Sequence, residues 1–150
     1  MPHSRRAMLK TTGAMATLLA LGIVTAEQAQ AAGRPGFEAR TFNDALKALG
    51  AQPAASDQVV IQSPDIAENG ASVQITAASR LPNTTEMFVL IERNPFPLAA
   101  AFVFPEGTEP DVQVNVKMAE TSDVIVVAKA DGRLFSARRQ TRVTLGGCGA

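Results

Sequence analysis

Seven short apolar runs, set roughly ten residues apart and divided by turn residues, constrain this chain more than any other feature. They are Val59-Val60-Ile61, Ser72–Ala77, Met87–Ile91, Ala99–Phe104, Val112–Val116, Val124–Ala128 and Phe135–Leu145. Within the fifth, Val112, Val114 and Val116 alternate with Gln113 and Asn115. Successive side chains of a strand point to opposite faces, so that alternation marks a half-buried strand. Asn69-Gly70 and Asp131-Gly132 supply turn signals, the second of them for a tight hairpin.

One helix is expected ahead of the strands. Between Phe37 and Leu49 the residues Phe42, Ala45, Leu46 and Leu49 fall at i, i+3, i+4 and i+7, and Gly50 follows where a C-terminal cap belongs. Ala51–Ser56, with Pro53, reads as a loop. No second helix interrupts the strand runs, which predicts a mainly β fold: an immunoglobulin-like antiparallel β-sandwich preceded by one N-terminal helix. Antibody domains add a disulfide and a tryptophan, and this chain has one cysteine and no tryptophan, so only the architecture is implied. At 150 residues and 46% apolar composition, a single packed domain is expected. The charges balance at 14 basic and 14 acidic residues, which argues against a nucleic-acid partner.

The N-terminus reads as an export signal. Ser4-Arg5-Arg6-Ala7-Met8-Leu9-Lys10 precedes a mostly apolar stretch from Ala14 to Val24, and Ala29-Gln30-Ala31 then offers an A-x-A-like cleavage site. The Arg5-Arg6 pair is the twin-arginine form of that signal, which places the product in the periplasm. About eleven apolar residues fall short of the ~20 needed to span a bilayer, so no stable membrane insertion is expected after cleavage. The expected divisions are therefore a signal at 1–31, a sandwich domain with its helix at 32–145, and a terminal arm at 146–150.

Cleavage removes His3, the only histidine, and leaves a slightly acidic product. Without histidine and with one cysteine, the product cannot use Ser-His-Asp or Cys-His catalysis, a histidine metal site or an internal disulfide. The chemistry concentrates in Gly146-Gly147-Cys148-Gly149-Ala150. Glycines have no side chains to pack and favour neither helix nor strand, and chain ends are the least tied-down part of most domains. Cys148 is therefore expected to be exposed on a flexible arm formed by Gly146, Gly147, Gly149 and Ala150. Counted from Leu145, such an arm carries the thiol ~10 Å outward. No base lies beside the thiol in sequence, and the nearby terminal carboxylate disfavours the thiolate. Such a group is poorly equipped to catalyse and well suited to being acted upon, as a covalent attachment point passed between enzymes.

The ending Gly146-Gly147-Cys148-Gly149-Ala150 resembles the Gly-Gly-Cys-Gly-Gly terminus of the SoxY family, periplasmic sulfur carriers of bacterial thiosulfate oxidation. Three further segments are similar to family segments: Ser63-Pro64-Asp65-Ile66-Ala67-Glu68-Asn69-Gly70-Ala71, Glu92-Arg93-Asn94-Pro95-Phe96-Pro97-Leu98 and Val116-Lys117-Met118-Ala119. Ala150 departs from the usual final glycine. The resemblance implies an immunoglobulin-like fold, a SoxZ-like partner subunit in a heterodimer, and sulfur intermediates held covalently on Cys148. It further implies a SoxXA-type haem enzyme that couples thiosulfate to the cysteine, a SoxB-type hydrolase that removes sulfate and, in some organisms, a SoxCD-type dehydrogenase. It implies no cofactor for this chain and no enzymatic activity of its own.

Other features read more plainly. Arg138, Arg139 and Arg142 suit a solvated strand edge better than an anion site. Phe96, between two prolines, is expected as a turn anchor tucked against the core. An apolar sheet face is expected to stay open for the partner subunit to cover. The rival to a carrier is a structural β-domain that dimerises through a terminal intermolecular disulfide, which needs only the cysteine.

Overall fold

The computed structural model describes residues 36–146. The expected signal with Arg5 and Arg6, and the arm residues Gly147, Cys148, Gly149 and Ala150, lie outside them.

Helix α1 (Phe42–Leu49) starts at Thr41, whose side-chain oxygen accepts the Asp44 N–H at 3.1 Å, and stops at Gly50 in the left-handed conformation, φ 107°. The cap satisfies one of the N–H groups a helix start leaves without partners, and glycine adopts positive φ without a Cβ penalty. The helix runs from the first to the last residue of the apolar period, and residues 36–38 form a turn ahead of it.

The described residues contain nine strands: β1 (Ala54–Ala55), β2 (Val59–Gln62), β3 (Ile66–Ala67), β4 (Val73–Ser79), β5 (Thr84–Ile91), β6 (Leu98–Val103), β7 (Asp111–Val116), β8 (Ser122–Ala130) and β9 (Arg133–Val143). Seven match the expected runs. The additional β1 and β3 are two-residue strands paired parallel to β9, at Ala54↔Phe135 and Ile66↔Arg142. The larger sheet has the order β1-β9-β8-β5-β6 with β3 also on β9, and the smaller has the order β2-β4-β7. Strands β8 and β9 meet in a two-residue hairpin at Asp131 (φ 51°) and Gly132 (φ 73°), the double positive φ that Asp-Gly turns favour.

Two apolar clusters hold the layers together. Between the sheets lie Val59, Val73, Ile75, Met87, Val89, Ile91, Val116, Met118, Val124 and Val126. On the outer side of the larger sheet, Ala45 and Leu46 of α1 pack with Leu90, Leu98, Ile125, Val127 and Leu134. Strand β8 feeds both clusters, with Val124, Val126 and Ala128 on one and Ile125 and Val127 on the other. That double burial explains why its sequence is a continuous apolar run rather than an alternation.

Among the described residues the expected open apolar sheet face is not found. Helix α1 lies over the larger sheet, and the part it leaves free carries the Glu86–Lys129 ion pair beside exposed Val103. The smaller sheet turns Gln62, Gln74, Thr76, Gln113 and Asn115 away from the core. Phe96 also departs from expectation: it is 45% exposed, with the Arg40 guanidinium 4.5 Å from its ring centre. Among the described residues no helix is long and apolar enough to cross a membrane.

Candidate functional site

The functional question is how the sandwich presents the chain that leads to Cys148. The β8–β9 ladder ends at Ser122↔Thr141, and past that point the chain is held by β3 and by loops. Thr141 is fully buried, and its hydroxyl bonds that of Ser63 at 2.9 Å. Arg142 N–H donates to the Asp65 carbonyl at 2.9 Å. Val143 N–H donates to the Thr121 hydroxyl at 2.9 Å. Thr144 donates twice to the end of β3 and the residue after it, from its N–H to the Ala67 carbonyl and from its hydroxyl to the Glu68 carbonyl, each at 3.1 Å.

Gly70 joins this segment to the loop after β7. Its N–H donates to the Leu145 carbonyl and its own carbonyl accepts the Met118 N–H, both at 2.7 Å. The turn around Gly70 is kept by Asn69, whose side-chain oxygen accepts the Ala71 N–H at 2.9 Å. Asn69-Gly70 thus connects β3 to β4, which lie in different ladders, and does not make a hairpin.

Asn94 braces the same place from the other side. Its amide nitrogen donates to the Lys117 carbonyl at 2.6 Å and its oxygen accepts the Ala119 N–H at 2.9 Å. Against this braced segment sits Gly146, where a Cβ would overlap the Ala119 carbonyl oxygen. Gly146 has no positive φ, so the restriction is close approach rather than backbone conformation. A side chain there would displace backbone.

The basic cluster on β9 separates into different roles. Arg138 pairs with Asp123 at 3.0 Å and Glu92 at 3.8 Å, and Arg139 pairs with Asp65. Arg142 is exposed and has no ion pair among the described residues. The first two therefore pin the strand, as a solvated edge would. Among the described residues no three His, Cys, Asp or Glu side chains gather as a metal site would require. Sequence reasoning placed the chemistry at the arm but did not find Gly70, Asn94, Thr121 or Thr144 as the residues that hold 142–145 and the loop beside them. The nearest signal was that Gly70 and Asn94 lie in segments carrying the family resemblance.

The fold and this junction define an immunoglobulin-like β-sandwich that ends in a loop-braced, cysteine-bearing tail. A family model described as sulfur oxidation protein SoxY matches residues 45–148. The chain belongs to the SoxY family. It is 34% identical to the sulfur carrier protein SoxY from Chlorobium limicola f thiosulfatophilum, whose solved structure it matches with a TM-score of 0.64 over 70% of this chain and 97% of that one. A point variant of the superoxide reductase (neelaredoxin) from Ignicoccus hospitalis matches with a TM-score of 0.51 at 18% identity over 69% of this chain and 90% of that one. At that identity the likeness is one of fold alone. Among curated proteins, none matches this chain.

Proposed function

We propose that this protein is the sulfur carrier of a periplasmic thiosulfate-oxidising system, with Cys148 as the covalent attachment point and residues 146–150 as its arm. The observation that carries this reading is the extent of the family match, which runs to residue 148 and so takes in the cysteine itself. The chemistry asks little of the carrier. The thiol and thiosulfate join through a new S–S bond, with loss of the thiol proton and an electron pair to a SoxXA-type haem enzyme. Water then cleaves the S–SO3 bond through a SoxB-type hydrolase, releasing sulfate and leaving a persulfide on the cysteine. A SoxCD-type dehydrogenase would oxidise that sulfur where present. A SoxZ-like β-sandwich subunit completes the carrier as a heterodimer.

Serine is close to cysteine in size but cannot form the S–S bond. Cys148→Ser should therefore abolish thiosulfate-dependent electron transfer in the reconstituted system, with a stability change below ~0.5 kcal/mol as for other exposed sites. Mass spectrometry of the protein purified from its host without reductant should show sulfur or sulfonate added at Cys148. Full activity of the serine variant would sink the carrier reading, and a disulfide dimer free of such adducts would favour the structural role. Export has its own test. Replacing Arg5 and Arg6 with lysine should leave precursor in the cytoplasm, and normal export of that variant would exclude the twin-arginine route.

A further inference from the structure

The larger sheet ends with β6 and the smaller with β7, and the two edges share one open cleft. It measures about 500 Å3 and is lined by Pro95, Phe96, Ala99 and Val116, with Asn115 and Lys117 beside them. That is the size of clefts that take a ligand or a few side chains. The main chain of β7 offers bonds along it. Ser79 N–H donates to the Pro110 carbonyl at 2.9 Å, and the register runs on through Ala77↔Val112, Ile75↔Val114 and Val73↔Val116. Alternate residues of an antiparallel ladder exchange the bonds, so these valines face β4 while the N–H and carbonyl groups of Gln113 and Asn115 point to the outer rim. Among the described residues only β4 pairs with β7. Natural edges are usually blocked by proline, bulges or inward charge. Strand β7 has no proline and no bulge, and its one charge, Asp111, is its first residue.

Just past β7, Asn94 already behaves as a neighbouring strand would. Its side-chain amide donates to the Lys117 carbonyl and accepts the Ala119 N–H, the pair of groups that one residue of a parallel strand would engage. Charge narrows the choice of occupant. Lys117 is exposed, and the Arg40 guanidinium stands 4.5 Å from the Phe96 ring centre; neither belongs to an ion pair among the described residues. We propose that the β7 rim is a docking site for an extended acidic segment of a partner protein, which adds as a strand beside Gln113 and Asn115. One row of its side chains enters the cleft on Phe96, Ala99 and Val116, and the alternate row brings carboxylates to Lys117. In strand addition the main-chain bonds supply affinity and the alternate side chains supply specificity. Such docking needs nothing from Cys148, so it stands or falls apart from the carrier reading.

The probe is a peptide of alternating valine and glutamate, about eight residues long, titrated into the isotope-labelled protein and followed by nuclear magnetic resonance. Saturating peptide should slow amide hydrogen exchange at Gln113 and Asn115 about tenfold or more, because N–H groups on an open rim exchange fast and bonded ones do not. Methylating the peptide's backbone nitrogens removes its donors and should weaken binding about tenfold. Gln113→Pro removes a rim N–H without touching the ladder to β4 and should weaken the parent peptide by about the same factor. Lys117→Glu should also weaken it, and should let a peptide of alternating valine and lysine bind in its place. Absence of binding, unchanged exchange at Gln113 and Asn115, or undiminished affinity of the methylated peptide would overturn the docking site. Concentration-dependent protection of both amides in the protein alone would overturn it as well, by giving the rim to a second copy of this chain. The methylated peptide needs no variant, so a proline substitution that fails to fold leaves the test intact.

Discussion

Strand β8 and the end of β9 are neighbours in one sheet, but they are held by opposite means. In β8 the side chains do the work: Val124, Val126 and Ala128 face one apolar cluster while Ile125 and Val127 face the other. From Arg142 to Gly146 it is chiefly the main chain that is held, by groups of β3 and of the loops around it and after β7. Burial is strong and non-directional, whereas a hydrogen bond adds about 0.5–1.5 kcal/mol but fixes geometry. The core therefore sets stability, and the junction sets where the tail leaves the domain.

The sharpest way to break that comparison is to damage the core and watch the tail. Ile75 is fully buried between the sheets, so Ile75→Ala should cost about 2–5 kcal/mol in denaturant unfolding. Thiosulfate-dependent transfer per folded molecule should be unchanged, and a matching loss of transfer would show that core and junction are not separable. A smaller effect tests the helix. Thr41→Ala removes the side chain that accepts the Asp44 N–H and should cost about 1 kcal/mol. Because α1 lies over the larger sheet and makes none of the junction's bonds, thiosulfate-dependent transfer per folded molecule should keep its wild-type rate.

This division also explains what was legible in the sequence. The seven longer strands, the apolar face of α1 and the Asp131-Gly132 hairpin were visible because side-chain periodicity and turn chemistry write them directly. Strands β1 and β3 were not visible, since two residues carry no period and their pairing to β9 is main chain to main chain. The same holds for the site. Cys148 and its glycines stood out as residue types, whereas Gly70 acts through backbone groups that every sequence contains, and Asn94 and Thr144 reach with polar side chains for carbonyls and N–H groups of loops distant in the chain. Phe96 misled for a related reason: its apolar ring suggested burial, but a cation from Arg40 covers it at the surface instead. The open apolar face failed because α1, only eight residues long, covers the apolar part of the larger sheet around Leu90, Ile125 and Val127.

The two short parallel strands have a consequence for how oxidised molecules meet. β1 occupies the rim of β9 at Phe135 and Ser136, and β3 occupies it at Arg142 and Val143. An unoccupied rim next to a reactive thiol would let two chains first join by sulfur and then zip their sheets into one continuous ribbon, a seed for fibres. With both ends of that rim taken, the stretch of β9 open to a second copy is cut to Ala137–Thr141. A sulfur link between two copies would then be expected to come undone under reductant without either sheet having been extended along that strand.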